Sequence, residues 1–205
     1  MPRTPIALAL LTLALLAPQV AEAKYRLPTA PELLGKSSLI VVGEVEAVGD
    51  RYYTVKITQQ IVGPKQALSG SIQVFSRPRN RRICAPLDPA GIKVGTRWVW
   101  ILEPSGTAYR SWTSAPLKIE REQEGFECKT ERVQCSRLRL KGQDKAQTLS
   151  AFARMIQAYR RCYRVEAQGL ATQTGTAAEV EAFKASSPYA AELAARTACK
   201  KPGSK

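Results

Sequence analysis

Between residues 39 and 62 apolar and polar positions alternate with a period of two. Leu39, Val41, Gly43, Val45 and Ala47 share one face of an extended segment, and Ile40, Val42, Glu44, Glu46 and Val48 share the other. The first half is apolar on both faces and the second is wet on one, which predicts one long strand. Gly43 in its middle predicts a bulge or sharp bend. Gly49-Asp50 turns the chain, and Tyr53, Val55 and Ile57 then alternate with Thr54, Lys56 and Thr58 in a second strand that Gly63-Pro64 stops. Residues 71–76 read as a short third strand and 97–103 as a fourth. Residues 108–112 and 117–122 read as a fifth, broken near Pro116. An Arg- and Pro-rich loop, 77–95, separates the third from the fourth. Ahead of all this, 24–36 reads as an irregular lead-in with a helical turn at 31–34.

The pattern changes after the fifth strand. Residues 126–140 read as a hairpin turning at Glu131-Arg132, and beyond it the period lengthens to that of a helix. Leu149, Phe152, Ile156, Tyr159 and Tyr163 recur in steps of three and four, a one-sided apolar stripe with Asp144 as its N-terminal cap. Thr176 and Glu179 form a capping box that opens a second helix, and Ser187-Pro188 starts a third. The order predicts an α+β fold: a five-stranded OB-type antiparallel β-barrel followed by a β-hairpin and C-terminal helices. The expected division is a signal peptide at 1–23, a barrel at 24–122, a disulfide hairpin at 123–142, a helical appendage at 143–200 and a disordered tail at 201–205.

The N-terminus supplies a compartment. Arg3, the apolar run 6–17 and Ala21-Glu22-Ala23 are the three parts of a secretory signal peptide cleaved after Ala23. The expected location is periplasmic or extracellular, with no membrane-spanning segment in the mature chain. Composition then narrows the chemistry. The chain has no histidine, which removes the usual general base, the usual zinc ligand and any Ser-His or Cys-His pair. Glu120, Glu122, Glu124 and Glu127 alternate along a strand and its turn and read as a solvated face. The expectation is a protein that is not an enzyme and needs no cofactor or metal.

Charge adds a candidate surface. The net charge is +14, and residues 129–164 hold ten basic side chains against Glu131 and Asp144, a net of +8. Arg77, Arg79, Arg81 and Arg82 crowd one loop, and Arg154, Arg161 and Arg164 project from the first C-terminal helix. Guanidinium forks suit phosphate, sulfate and carboxylate, so these seven arginines are candidate ligand contacts. Trp98 and Trp100 share one face of the fourth strand. With Val99 and Ile101 turned into the barrel, the tryptophans would lie outside, under the helical stripe or open as a stacking platform. An inward-facing tryptophan pair is the other arrangement.

Five cysteines in an oxidising compartment should pair and leave one over. Cys128 with Cys135, across the expected turn, and Cys162 with Cys199, near two helix ends, are the candidate bridges. Cys84 is then free or a competing partner, and beside Arg81 and Arg82 it could carry a thiol activity.

One stretch resembles a known family. Residues 38–45 (SLIVVGEV) lead to Tyr53-Thr54-Val55-Lys56-Ile57, the Gly63-Pro64 stop, Ile72-Gln73-Val74, Cys84, Leu87, Gly95 and Trp98-Val99-Trp100-Ile101-Leu102. This resembles the OB barrel of the tissue inhibitors of metalloproteinases and the related netrin-like modules, including bacterial exported relatives, over about a third of the chain. The resemblance implies a barrel that binds another protein. Those inhibitors hold the protease zinc through an N-terminal cysteine, whereas here the mature chain starts Lys24-Tyr25-Arg26 and has no cysteine before Cys84. The expected function is therefore an exported, non-enzymatic protein that binds a protein partner. Binding of a polyanion (nucleic acid, anionic glycan or lipid head group) through 77–82 and 129–164 is the alternative, and metalloprotease inhibition is a further one.

Overall fold

The computed structural model describes residues 28–66, 68–75, 91–111, 116–124, 128–134, 138, 146–166 and 170–199. The signal segment, the 77–82 arginines, Cys84, Cys135, Asp144 and the tail lie outside them.

Five strands close a barrel: β1 (Leu39–Val48), β2 (Tyr52–Val62), β3 (Ser71–Phe75), β4 (Arg97–Ser105) and β5 (Ala108–Ser111). The order around it is β1-β2-β3-β5-β4, and β4 returns to β1. The barrel is mixed, correcting the expectation of an antiparallel one. β3 runs parallel to β5, with Val74 opposite Tyr109 and Phe75 opposite Arg110. β1 pairs with β2 on one edge and β4 on the other, and it slips register against β2 between Val42 and Gly43. Gly43 stands at that slip. A Cβ there would stand 2.3 Å from Val55 Cγ1 and 3.3 Å from Trp100 Cδ1.

The broken fifth strand is two strands. β5 closes the barrel, while β6 (Leu117–Glu124) begins the hairpin and pairs with β4 through Trp98 and Val99. β6 turns into β7 (Cys128–Gln134), and β7 pairs with the short β8 (Ala146–Thr148). Glu131 and Arg132 lie within β7, opposite Arg121 and Glu120, so the expected turn there is absent and the hairpin sits one strand earlier.

Among the described residues there are four helices. α1 (Ala30–Lys36) contains the helical turn expected at 31–34 and extends it in both directions, because Thr29 and Glu32 form a capping box. α2 (Leu149–Cys162) carries the predicted stripe, but its cap is Thr148 rather than Asp144, with Oγ1 accepting from the Ala151 amide at 3.3 Å. Tyr163 opens β9 (Tyr163–Val165), which pairs with β10 (Ala171–Gln173). α3 (Ala177–Ala185) starts at the Thr176–Glu179 box and α4 (Pro188–Ala195) at Ser187, both as expected. None of the described helices is long and apolar enough to cross a membrane.

Two cores result. One is the barrel interior, built from Leu39, Val41, Val45, Val55, Val74, Trp98, Trp100 and Leu102 with Ile92. The other lies outside the barrel. Ile40, Val42, Val99 and Ile101 project there and meet Phe152, Met155, Ile156 and Tyr159 of α2, with Leu33 and Leu34 of α1.

Candidate binding surface

The tryptophans are inside the barrel. Trp98 and Trp100 are 4% and 1% exposed, and each indole N–H has an internal acceptor: Thr96 Oγ1 at 2.8 Å and the Gly43 carbonyl at 3.4 Å. The arrangement with Val99 and Ile101 inward and the indoles outside is overturned, so neither tryptophan lies under the helices or forms an open stacking platform. The physical reason is volume. Gly43 leaves the inner face of β1 bare, which makes room for indoles across the pair Gly43–Trp98 and beside Val41–Trp100. The smaller Val99 and Ile101 give the flat surface that a helix can cover.

The basic candidates separate into three groups. Arg77, Arg79, Arg81 and Arg82 lie in the segment between Phe75 and Gly91, outside the described residues. Arg154 and Arg161 come together on one exposed face of α2, two turns apart. They line a half-open groove of about 290 Å³ whose floor is Ala151, Met155 and Ala158 and whose far wall is the Ser186-Ser187 turn. Neither guanidinium forms an ion pair among the described residues. Arg164 is exposed on β9 opposite Thr172 and does not line that groove.

Arg160, next in sequence to Arg161, has a different role. Its guanidinium donates to the Leu34 carbonyl at 3.2 Å and the Ser37 carbonyl at 2.9 Å, closing the C-terminal end of α1. Burial lowers its pKa from the usual arginine value. Sequence alone could not separate Arg160 from its neighbours. The seven-residue spacing of Arg154 and Arg161 was the available signal for one shared helix face.

A second cleft, of about 350 Å³, opens at the end of the barrel where the chain returns at Gly91. Glu44, Thr96, Arg97, Trp98 and Lys118 line it. Its cations are already engaged. Arg97 pairs with Glu131 and donates to Thr58 Oγ1 at 3.3 Å, and Lys118 pairs with Glu120 at 2.8 Å. Glu120 thus belongs to a surface ion pair.

The cysteine expectations change. Cys128 and Gln134 end the same extended strand, about 20 Å apart at about 3.3 Å per residue. The expected bridge from Cys128 ends on Cys135, which lies outside the described residues. Cys162 and Cys199 are both free thiols, one buried and one exposed. Cys162 lies beside Thr174 on one edge of β10, with its Sγ directed at the Glu179 carbonyl at 3.7 Å. Cys199 lies opposite Ala171 on the other edge. Three residues along the strand and two strand spacings across separate their backbones by about 14 Å. Burial raises the Cys162 thiol pKa, with the Glu179 charge adding to the effect.

Elsewhere in the helical layer, burial pushes the Tyr159 hydroxyl up to about 12, although Thr197 hydrogen-bonds it at 3.1 Å. Glu179 is held below the usual carboxylate range by the backbone amide and hydroxyl of Thr176, at 2.7 and 2.9 Å. Among the described residues no group of three or more Cys, Asp and Glu is placed to hold a metal ion. No family profile, no curated protein and no solved structure matches this chain.

Proposed function

We propose that the protein is an exported, non-enzymatic binding module that engages a protein partner through the outer surface of its barrel and helices. The observation that carries this reading is the filled barrel. Trp98, Trp100, Leu102, Val41, Val45, Val55 and Val74 occupy the interior, which leaves the outside as the surface for recognition. The strand order β1-β2-β3-β5-β4, closed back to β1, supports an OB-type barrel and with it the resemblance to the netrin-like modules. Fold alone does not assign a partner. The lack of histidine and the signal-like N-terminus support a non-enzymatic role in an exported location.

The test is capture of a partner by the tagged protein from periplasm or culture medium at low and at high salt. A partner that co-elutes at fixed stoichiometry supports the reading, and no partner at any salt overturns it. Arg154 and Arg161 of α2, without an ion pair among the described residues, favour one second reading, binding of a polyanion. Here the check is the salt needed to elute the protein from heparin or DNA, against a plain cation exchanger of equal charge density. Clearly higher salt on heparin or DNA supports the polyanion reading. Equal elution assigns the +14 to bulk charge and leaves the protein partner.

A further inference from the structure

Building on the binding-module reading, we propose that the groove between α2 and the Ser186-Ser187 turn receives an acidic segment of the protein partner, two of whose carboxylates engage Arg154 and Arg161. The groove sets two guanidiniums on one helix face beside an apolar floor, and it differs from the other basic positions near the two clefts and the helix ends in what its cations already do. Arg97, Lys118, Lys184 and Arg196 are each paired with a carboxylate. Arg160 is occupied by the carbonyls of α1. Arg154 and Arg161 have no such partner among the described residues, and α2 carries no acidic residue at all. The carboxylate whose charge Arg161 does influence, Glu179, is committed to capping α3 and receives both Thr176 donors.

The groove suits the carboxylates of a protein segment better than a phosphate or sulfate. The two arginines are seven residues apart, about 10.5 Å along the helix axis, a spacing at which each fork can engage its own carboxylate. A tetrahedral anion needs several donors converging on its oxygens, and of the two nearest hydroxyls one already spends its proton. Ser186 donates to the Phe183 carbonyl at 2.7 Å, and Ser187 accepts from the Ala190 amide at 3.1 Å as the cap of α4. Two planar carboxylates two helical turns apart match two separate guanidinium forks. Between the arginines, Ala151, Met155 and Ala158 offer an apolar floor for the methylenes or an apolar side chain of such a segment.

The experiment is fluorescence anisotropy of a fluorescein-labelled, alanine-rich helical peptide with two glutamates seven residues apart and a leucine between them, titrated with the full protein. Arg154→Gln with Arg161→Gln should weaken binding at least tenfold with unchanged circular dichroism and melting temperature, whereas Arg164→Gln should change it less than twofold. As a second variant, Arg154→Glu with Arg161→Glu should lose the glutamate peptide and gain one with lysines in its place. Equal affinity of the glutamate peptide for wild type and both double variants overturns the proposal. So does a heparin oligosaccharide whose binding needs both arginines while the peptide does not bind. If a captured partner binds the double variants unimpaired, the groove is not its site and the binding-module reading stands. If no partner is captured at all, that reading falls irrespective of the peptide.

Discussion

The two faces of β4 teach more about this molecule than either core taken alone. Its inner face carries Trp98, Trp100 and Leu102 into the barrel, and its outer face carries Val99 and Ile101 to the helices. A small barrel favours large rings only where the facing strand yields space, and Gly43 yields it. A helix docking on a sheet favours small, β-branched side chains that leave an even surface. One strand therefore serves two cores with opposite size rules. Neither core is optional, because the apolar outer face of β1 and β4 must be covered.

That comparison can be broken. The largest effect should come from ending the chain at Gln134, which strips α2 from Ile40, Val42, Val99 and Ile101. The truncated barrel should fail to give a soluble folded monomer, as judged by size-exclusion chromatography and tryptophan emission. Recovery of a folded monomer would mean that the inner core suffices. Next in size, Trp100→Ala and Phe152→Ala should each lower unfolding stability by about 3–5 kcal/mol in denaturant titrations. A large gap between the two would show that one core dominates.

The outer core should also respond to alkali. Tyr159 is fully buried, with its pKa raised to about 12. The folded state holds this proton after the unfolded chain has lost it. Its stabilising contribution is therefore complete below pH of about 10 and lost as pH rises to about 12, a fall of roughly 2–3 kcal/mol. Tyr159→Phe should flatten that part of the stability profile, and an unchanged profile would place the sensitivity elsewhere. The inner core is tested by Gly43→Ala, expected to destabilise by about 1–3 kcal/mol through overpacking against Val55. Adding Val55→Ala should recover part of that loss, and strict additivity would deny the contact. Smallest, Thr148→Ala should destabilise α2 by about 1 kcal/mol by removing its cap, with no comparable effect from Asp144→Ala in the same thermal melts.

Much of the fold was legible in the chain. Strict alternation marked β1 and β2, Gly43 marked the slip in register, and the capping residues of α3 and α4 marked their starts to the residue. Legibility ended where two local solutions were equally sound. Glu131-Arg132 could have been a turn, but both residues pair with β6 inside a continuous β7. Asp144 and Thr148 both suit an N-cap. The candidate site was less legible than the fold. The shared face of Arg154 and Arg161 could be read from their spacing, whereas the employment of Arg160 by α1 could not, because its acceptors lie more than 120 residues away.

Periodicity and caps thus determined the first four barrel strands, the helical stripe of α2 and the starts of α3 and α4, because those properties depend on neighbours in sequence. Which face of β4 points inward, the parallel closure of β3 on β5, the separation of the cysteines and the grouping of the arginines were decided only by tertiary structure. Each depends on volumes and distances between segments far apart in the chain, and a period of two distinguishes the faces of a strand without saying which one is enclosed.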